Sequence, residues 1–493
     1  MKTASFLFFI ILIQTCNGQS KNQVWPRFRG PNGSGVAAQD AKPPVIFTDK
    51  NLVWKIDLPQ GVSSPVIWND KLFVTGYIED KKELQTICIR RKNGKILWKN
   101  SVFPDTIEKC SPISSPAQSS VTTDGERVIV FFGSCGFLCY DMTGKLQWKH
   151  PMKCATFKYG NATSPVIEGN KVLLTREDGK DRFLIALNKT NGSQVWRSNY
   201  KLPSTYGQYG AATPCIYRNM AIVHCSGAVA AYSVEDGSLQ WEHGTVTEAS
   251  SSPVVAGNKV LVNCWFNVSD EAERPEIPAY DEMLKYDADK NGNIGKAEIP
   301  ENLMGYQRPE LKDIPNVSTS GSIKSMFGTY DKNKDGGISR DEWDSTNDWL
   351  KTNFYKPSGF IAINADSKGP VANDQILWRV TRNISEVPSP IFYMGRAYMA
   401  KEGGFITCVN PEAGAVLYQV RAVNLGPIFA SPVAANGYLY VFGLNGMLKV
   451  IKAGDKFEIA SEYNFKDKIL ATPAIAGNTI YIRTQTSLLA YSN

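Results

Sequence analysis

The 493-residue sequence predicts an all-β fold, an eight-bladed β-propeller with a small α-helical segment inserted in blade 5. The first observation is a Ser/Thr-Pro step that recurs along the chain. The second is that short strand-like runs follow each step, roughly four in every 40–50 residues, which is typical of a propeller blade. The third is an aromatic residue in the last strand of most repeats. The Ser/Thr-Pro steps begin at Ser64, Ser115, Ser164, Thr213, Ser252, Ser389, Ser431 and Thr472.

Within each repeat, an alternating strand such as KLFVTG or KVLLTR is followed by a third strand, a turn such as Asn93-Gly94, and a fourth strand. Because a large aromatic recurs at one fixed place per repeat, we expect it to pack between neighbouring blades rather than to bind a substrate. The aromatic residues are Trp98, Trp148, Trp196, Trp241, Trp378 and Tyr418. The seventh repeat lacks this aromatic, so its fourth strand is the weakest part of the pattern.

The two ends of the repeat region complement one another. The step at Thr472 is followed by only three strand-like runs, whereas a solitary strand-like run at 51–57 precedes the first step. We therefore expect residues 51–57 to complete blade 8, which closes the ring and leaves no free strand edge there. The predicted domains are a signal peptide (1–18), an N-terminal strap (19–50), two propeller segments (51–266 and 357–493) and an insert (267–356).

The first residues are typical of a secretion signal, because Lys2 precedes the apolar run from Phe6 to Ile13 and Gly18 suits cleavage. We expect export to the periplasm or the cell exterior, with lipid anchoring through Cys16 disfavoured by a poor cleavage pattern. No later run is long and apolar enough to suggest a transmembrane helix.

Composition narrows the function classes. The sequence contains only three histidines, which disfavours a Ser-His-Asp catalytic triad and a histidine-ligated metal site. The sequence contains no basic cluster with interleaved aromatic residues, which is the pattern typical of nucleic-acid binding. Nine cysteines follow the signal, none in a zinc-type pair, and Cys110 and Cys154 lie in successive loops between repeats, where they could form a disulfide.

The interval between Ser252 and Ser389 is about three times too long for one repeat, and the extra residues differ in character. Residues 270–356 contain 18 acidic and 12 basic side chains, although the whole chain carries a formal charge of +7. Two twelve-residue stretches in this segment, 287–298 and 331–342, match the calcium loop at each diagnostic position.

The spacing fits calcium because the ion takes six to eight oxygens, supplied by positions 1, 3, 5, 7 and 12 of such a loop. Glycines at position 6, Gly292 and Gly336, allow the sharp turn, and Ile294 and Ile338 at position 8 predict a short β-bridge between the loops. Two Ca²⁺ sites are therefore predicted, with both position-12 glutamates on exiting helices. The predicted ligands are Asp287, Asp289, Asn291, Asn293 and Glu298 in the first loop, and Asp331, Asn333, Asp335, Gly337 and Glu342 in the second.

These two loops resemble a paired EF-hand, and the rest of the chain resembles exported bacterial propellers with PQQ-type repeats, including the opening WPRFRGPNGSG. That resemblance implies either a quinoprotein dehydrogenase, with PQQ beside Ca²⁺ in the channel, or a non-enzymatic propeller that binds proteins on one face. The dehydrogenases typically have adjacent cysteines, and no Cys-Cys pair is present here.

We therefore expect an exported calcium-binding propeller that acts as a protein- or ligand-binding scaffold, with a PQQ-dependent alcohol or sugar dehydrogenase as the alternative. A hydrolytic propeller is a third, weaker reading. The unknown protein or small-molecule partner is placed on the face that bears the insert, because second-to-third and fourth-to-first strand loops share one face. The same face gathers the loops 102–110, 157–159, 176–182 and 206–209. The sequence leaves the oligomeric state open.

Overall fold

Eight antiparallel sheets form a ring of blades in the computed structural model, which confirms the predicted eight-bladed propeller. The structure describes residues 23–157, 159–179, 181–200, 209–266, 277–307, 320–353 and 358–493. The predicted signal peptide and Cys16 lie outside these residues.

Blades 2 to 4 are each built from consecutive strands, whereas blade 1 also includes a short strand of the N-terminal strap. Strand β2 (Leu52–Asp57) belongs to blade 8. Blade 1 holds β1 (Val24–Trp25), β3 (Val66–Trp68), β4 (Lys71–Ile78), β5 (Glu83–Arg90) and β6 (Ile96–Val102). Blade 2 holds β7 (Thr122–Thr123), β8 (Arg127–Phe132), β9 (Gly136–Asp141) and β10 (Leu146–Pro151). Blade 3 holds β11 (Val166–Glu168), β12 (Lys171–Asp178), β13 (Asp181–Asn188), β14 (Gln194–Asn199) and β15 (Tyr209–Gly210). Blade 4 holds β16 (Cys215–Tyr217), β17 (Met220–Cys225), β18 (Ala228–Ser233) and β19 (Leu239–Gly244).

Blade 5 begins with β20 (Val254–Ala256) and β21 (Lys259–Cys264) and resumes after the insert. The insert contains α1 (Tyr280–Met283), β22 (Ile294–Gly295), β23 (Met304–Gln307), β24 (Ser320–Ser322), α2 (Phe327–Tyr330), β25 (Gly337–Ile338) and α3 (Arg340–Asn353). Strand β26 (Gly359–Asn364) pairs with β21, β27 (Gly369–Pro370) joins the outer edge of blade 4, and β28 (Trp378–Val380) completes blade 5. Blade 6 holds β29 (Ile391–Tyr393), β30 (Arg396–Lys401), β31 (Phe405–Val409) and β32 (Val416–Arg421). Blade 7 holds β33 (Val433–Ala435), β34 (Tyr438–Phe442), β35 (Met447–Lys452) and β36 (Ile459–Asn464). Blade 8 holds β37 (Ala474–Ala476), β38 (Thr479–Arg483) and β39 (Ser487–Ser492) together with β2.

The ring closes as predicted, because β2 pairs antiparallel with β39. The joint between blades 8 and 1 also depends on Arg483, a fully buried residue of β38. Its guanidinium donates hydrogen bonds to the Ser63 hydroxyl at 2.7 Å, to the Thr75 carbonyl at 2.6 Å and to the Pro59 carbonyl at 3.2 Å. Burial lowers the pKa of Arg483 to about 9. The two ends of the propeller are therefore tied by a strand pair and by one buried cation.

The repeated tryptophans pack between blades, as predicted from their spacing. Trp148 of blade 2, for example, donates its indole N–H to the Lys189 carbonyl of blade 3 at 2.8 Å. Gly192, in the turn of blade 3, lies directly on the Trp148 ring, and a Cβ at this position would lie 2.4 Å from the ring. Five seams share this arrangement of glycine on tryptophan. The pairs are Gly94 on Trp54, Gly144 on Trp98, Gly192 on Trp148, Gly237 on Trp196 and Gly414 on Trp378.

A second set of inter-blade contacts surrounds the central channel. In blades 1 to 7, the residue two positions before β3, β7, β11, β16, β20, β29 or β33 donates its backbone N–H to the hydroxyl of the equivalent Ser or Thr in the next blade, at 2.9–3.0 Å. Seven such bonds link eight residues, which we call the hydroxyl ring. Its members are Ser64, Ser120, Ser164, Thr213, Ser252, Ser389, Ser431 and Thr472.

One member of the hydroxyl ring was assigned wrongly from the sequence. In blade 2 the ring residue is Ser120, whereas the predicted Ser115-Pro116 step lies five residues earlier, in the loop that enters the blade. Ser120 is followed by Val121 and not by a proline. In this blade, therefore, the position that joins the hydroxyl ring is identified by the serine hydroxyl and not by a Ser-Pro dipeptide. Proline suits the next position elsewhere because it has no backbone N–H to satisfy.

The N-terminal strap crosses the ring and contacts blades on opposite sides of the channel. β1 pairs with β3 of blade 1, and the Asn32 side chain exchanges two hydrogen bonds with Ile216 of blade 4. Arg29, which is fully buried, donates to the Pro390 carbonyl of blade 6 at 2.6 Å. These contacts join blades that do not touch one another.

The insert has its own small core, with Met283, Tyr330 and Trp343 buried in it. Its described part contains three α-helices, of 4, 4 and 14 residues, and a short 3-10 helix at Leu284–Tyr286. Elsewhere in the described ranges, no helix has both the length and the apolar character that crossing a membrane requires.

The glycine–tryptophan seam predicts a specific loss of stability. Gly192→Ala should lower the free energy of unfolding by about 1–3 kcal/mol, because the added methyl group overlaps the Trp148 ring. Gly257→Ala is the matched control, since its backbone φ of +64° resembles the +74° of Gly192 but no atom lies within 4 Å of the added carbon. Thermal and urea unfolding measure the difference, and equal losses in both variants would contradict the packing argument.

The hydroxyl ring makes a second prediction. Ser389→Ala should lower the free energy of unfolding by about 1–3 kcal/mol, because the buried N–H of Ser252 then has no acceptor. Ser389→Thr keeps the hydroxyl and should lose much less. Urea unfolding of both variants tests this, and an alanine variant as stable as the native chain would show that the bond is not required.

Candidate functional site

The two predicted calcium loops lie side by side in the insert. β22 and β25 pair antiparallel, and Ile294 faces Ile338, which confirms the predicted bridge between the loops. Gly292 and Gly336 have positive φ angles of 84° and 92°, as the sharp turn at position 6 requires. The loops therefore have the mutual arrangement expected from their sequences.

Carboxylates converge in the first loop. One oxygen each from Asp287, Asp289 and Glu298 lies within 4.8 Å of the other two. Asp287 accepts the backbone N–H of Gly292 at 2.9 Å, and Glu298 accepts those of Ala288 at 2.8 Å and Gly295 at 2.7 Å. Backbone amides thus orient positions 1 and 12 across the loop, where hard oxygen ligands are gathered.

The second loop is organised in a similar way around Glu342. Its carboxylate accepts the backbone N–H groups of Lys332 at 3.0 Å, Asn333 at 3.2 Å and Ser339 at 3.0 Å. Burial opposes ionisation of Glu342, but these hydrogen bonds outweigh it, so its pKa lies below the usual value. Asp331 accepts the Gly336 N–H with one oxygen, and its other oxygen is buried without a hydrogen-bond partner in the described structure. An unpartnered buried carboxylate oxygen fits a cation site.

The predicted exiting helix is present after only one loop. Glu342 lies in α3, but residues 296–299 after the first loop form turns, so the prediction of a helix carrying Glu298 is wrong. Pro300 follows two residues after Glu298, and a residue before proline is disfavoured in the helical conformation. The remaining predicted ligands, Asn291, Asn293, Asn333, Asp335 and Gly337, are exposed or half-buried in the loops. Their coordination of calcium stays a prediction.

A cavity of about 590 Å³ opens at the mouth of the channel, on the face that carries the fourth-to-first strand loops. Seven of the eight hydroxyl-ring residues line it, and Phe28 of the strap also contributes. Every ring hydroxyl except that of Ser64 accepts a backbone N–H through its oxygen and retains one proton that can be donated. The other main lining residues are Ile113, Gln118, Phe157, Tyr159, Glu248, Glu386 and Phe429.

The loops predicted to share this face have different roles. Phe157 and Tyr159 line the cavity and form an edge-to-face pair with ring centroids 5.1 Å apart. Arg176 and Asp178, in contrast, form a buried ion pair at 3.0 Å, which is a structural contact. Lys158, Lys180 and the predicted loop residues 206–208 lie outside the described residues.

The chain is similar to several known proteins in sequence and in fold. The family described as "Outer membrane protein assembly factor BamB" matches residues 32–157 and 85–264. A protein with that same name from Yersinia pestis is 22% identical over 397 residues, which are 80% of this chain and 75% of the relative. Among solved structures, BamB from Moraxella catarrhalis has a TM-score of 0.53 at 12% identity, covering 90% of this chain and 99% of its own.

A europium-containing methanol dehydrogenase is also similar, with a TM-score of 0.60 at 8% identity and coverage of 96% of this chain and 98% of its own. The chain forms an eight-bladed β-propeller that is similar to PQQ-like propellers. At these identities the likeness to solved structures establishes the fold and not the activity.

Two glutamates of the propeller, Glu108 and Glu177, are buried and have raised pKa values, which the sequence did not predict. Glu108 is 4% exposed, and burial raises its pKa to about 8, against a hydrogen bond from the Asn161 N–H at 2.7 Å and the charge of Arg176. Burial likewise raises the pKa of Glu177 to about 7, although both of its oxygens accept the Ser226 N–H at 3.0 Å. No local sequence motif marks either glutamate as buried, because the residues that cover it come from loops that are distant in sequence.

Glu108 predicts a pH dependence of stability. Its folded-state pKa lies above the unfolded value, so the folded chain holds a proton that the unfolded chain releases, and stability should fall as pH rises towards 8. Between pH 6 and 9, the free energy of unfolding of Glu108→Gln should decrease by about 1–3 kcal/mol less than that of the native chain. The control is Glu126→Gln, at an exposed site. Thermal unfolding across this range is the measurement; an unchanged slope in Glu108→Gln would contradict the assignment.

Proposed function

We propose that this PQQ-like propeller is an exported, calcium-binding scaffold that binds a protein or ligand on the face bearing the channel mouth and the insert. The observation that carries the proposal is the pairing of the two loops, with three carboxylates converging in the first and an unpartnered buried oxygen in the second. The insert leaves the propeller between β21 and β26, a second-to-third strand connection, so it emerges on the same face as the cavity.

The chemistry of the residues supports a structural use of calcium. Each loop offers three carboxylates and additional amide or carbonyl oxygens, the donor set that Ca²⁺ prefers. A bound ion would hold positions 1 and 12 of each loop together and offset the negative charge of the insert. Extracellular calcium modules usually bind with Kd of about 10⁻⁴–10⁻³ M, which favours constant occupancy over sensing.

Binding on this face is supported by its exposed apolar residues. Ile113 and Tyr159, at the rim of the cavity, are 41% and 43% exposed, and Phe103 on the nearby loop is 65% exposed. Apolar side chains around a concave opening with a polar rim suit a protein contact. The relatives' description as an outer membrane protein assembly factor agrees with a protein-binding role.

The dehydrogenase alternative fits the channel less well. PQQ is a tricarboxylate, and the described residues that line the cavity include no lysine, arginine or histidine to pair with it. No Cys-Cys pair occurs in the sequence. Addition of PQQ and Ca²⁺ followed by a dye-linked alcohol or sugar assay should show no turnover; measurable turnover would favour the alternative.

Calorimetry with calcium tests the metal sites. Titration of the native chain should show two calcium sites. Glu298→Gln should weaken calcium binding at the first site, and Glu342→Gln at the second, by at least about tenfold in affinity, because position 12 supplies the bidentate ligand. Glu301→Gln is the matched control, since Glu301 lies in the insert, is highly exposed and pairs with Lys324. The calcium proposal fails if the native chain shows no saturable binding.

The binding face is tested with two variants of equal exposure. Ile113→Asp places a charge at the cavity rim, whereas Leu146→Asp places one on the outer edge of blade 2, where Leu146 is 42% exposed. For a partner cross-linked in the envelope of the exporting cell and then purified, Ile113→Asp should weaken binding at least about tenfold and Leu146→Asp should not. Equal affinities for both variants would exclude this face.

A further inference from the structure

The nine cysteines of the described structure fall into two groups. Six are buried within strands, where a small apolar side chain is sufficient explanation. The remaining three, Cys110, Cys135 and Cys154, are only partly buried and lie in loops at the channel-mouth face. All three belong to the connections that enter, cross or leave blade 2.

These three thiols surround the buried carboxyl of Glu108. The Glu108 N–H donates to the hydroxyl of Ser134, the residue before Cys135, at 3.1 Å. A Cβ built on Gly160 would lie 2.9 Å from the Cys110 sulfur and 3.1 Å from a Glu108 oxygen. Cys110 therefore packs directly against the loop that contains Cys154.

Cys154 is held in the same cluster from the other side. The next residue, Ala155, donates its N–H to the Gly133 carbonyl at 2.8 Å, and a Cβ at Gly133 would lie 2.3 Å from a Glu108 oxygen. The two loops, far apart in sequence, thus place Cys110 and Cys154 in the same cluster around the Glu108 carboxyl.

We propose that Cys110 and Cys154 form a reversible disulfide that ties together two loops of the cavity wall. One loop carries Ile113 and Gln118, and the other carries Phe157 and Tyr159. The same loops are also joined by hydrogen bonds from the Gln118 amide to the Tyr159 carbonyl at 2.9 Å and from the Asn161 N–H to Glu108 at 2.7 Å. Oxidation would make this wall of the binding cavity rigid, and reduction would release it.

The chemistry is thiol–disulfide exchange with a disulfide carried by an oxidoreductase or by a small molecule such as oxidised glutathione. The Cys154 thiolate attacks that disulfide and releases one thiolate; the Cys110 thiolate then attacks the mixed disulfide at the Cys154 sulfur and releases the second. The two cysteines lose two protons and two electrons, and the incoming disulfide becomes two thiols. Burial and the charge of Glu108 raise the pKa of Cys154, and the nearby Arg176 opposes this rise in part.

Peptide mapping tests the proposal directly. The full-length protein is incubated with oxidised glutathione, alkylated, digested with trypsin and analysed without reduction. Trypsin cuts after Lys109 and Lys153, so Cys110, Cys135 and Cys154 fall in three different peptides. We expect a linked peptide that joins Cys110 to Cys154 and an intact mass lower by two hydrogen atoms, both reversed by dithiothreitol.

Serine variants provide the controls. Cys110→Ser and Cys154→Ser should lose the linked peptide, whereas Cys135→Ser should retain it; thermal unfolding verifies that each variant is folded. The native chain alone also decides the question if a variant does not fold. A link that contains Cys135, or oxidation that yields only glutathione adducts and no internal link, would overturn the proposal.

Discussion

The hydroxyl ring is the constraint on which the rest of the propeller depends. The N–H at the start of each innermost strand faces the channel side, where no further strand can accept it, and a buried unpaired N–H is costly. At the seven joints from blade 1 to blade 8, the Ser or Thr of the next blade accepts this group, whereas Arg483 supplies the hydrogen bonds between blade 8 and blade 1. The tryptophan–glycine seams repeat the same dependence farther from the axis. One chemical rule, applied at successive blades, thus produces both the repeat in the sequence and the closed shape.

Departures from the repeat locate the candidate site. The inner end of each blade supplies only a hydroxyl to the channel mouth, so the ring by itself makes a uniform, uncharged opening. Charge and aromatic surface come from the loops between blades, chiefly around blade 2, and from the insert in blade 5. Glu108 shows the cost of this arrangement, because its carboxyl is held by loops that exclude water and is ionised with difficulty. The proposed disulfide acts on these same loops.

Local patterns were read from the sequence with success wherever neighbouring residues suffice. The geometry of the two predicted calcium loops is such a case, since the φ angles of Gly292 and Gly336 and the pairing of Ile294 with Ile338 agree with the twelve-residue spacing. The helix expected after the first loop failed because Pro300 outweighs the pattern there. In blade 2, Ser115-Pro116 carried the expected dipeptide, but Ser120 makes the inter-blade bonds. The Ser/Thr-Pro dipeptide therefore predicts the ring residue less reliably than the inter-blade hydrogen bond that the hydroxyl makes.

The sequence by itself determined the number of blades, the pairing of the two chain ends and the place of the insert, because these depend on periodicity and on counting strands. Only the tertiary structure decided which serine joins the ring in blade 2, how far Glu108 and Glu177 are buried, and that Cys110 approaches the loop of Cys154. Those outcomes depend on the approach of loops that are tens of residues apart. Their spacing carries no periodic signal, so the packing of the blades must bring them together before their chemistry becomes visible.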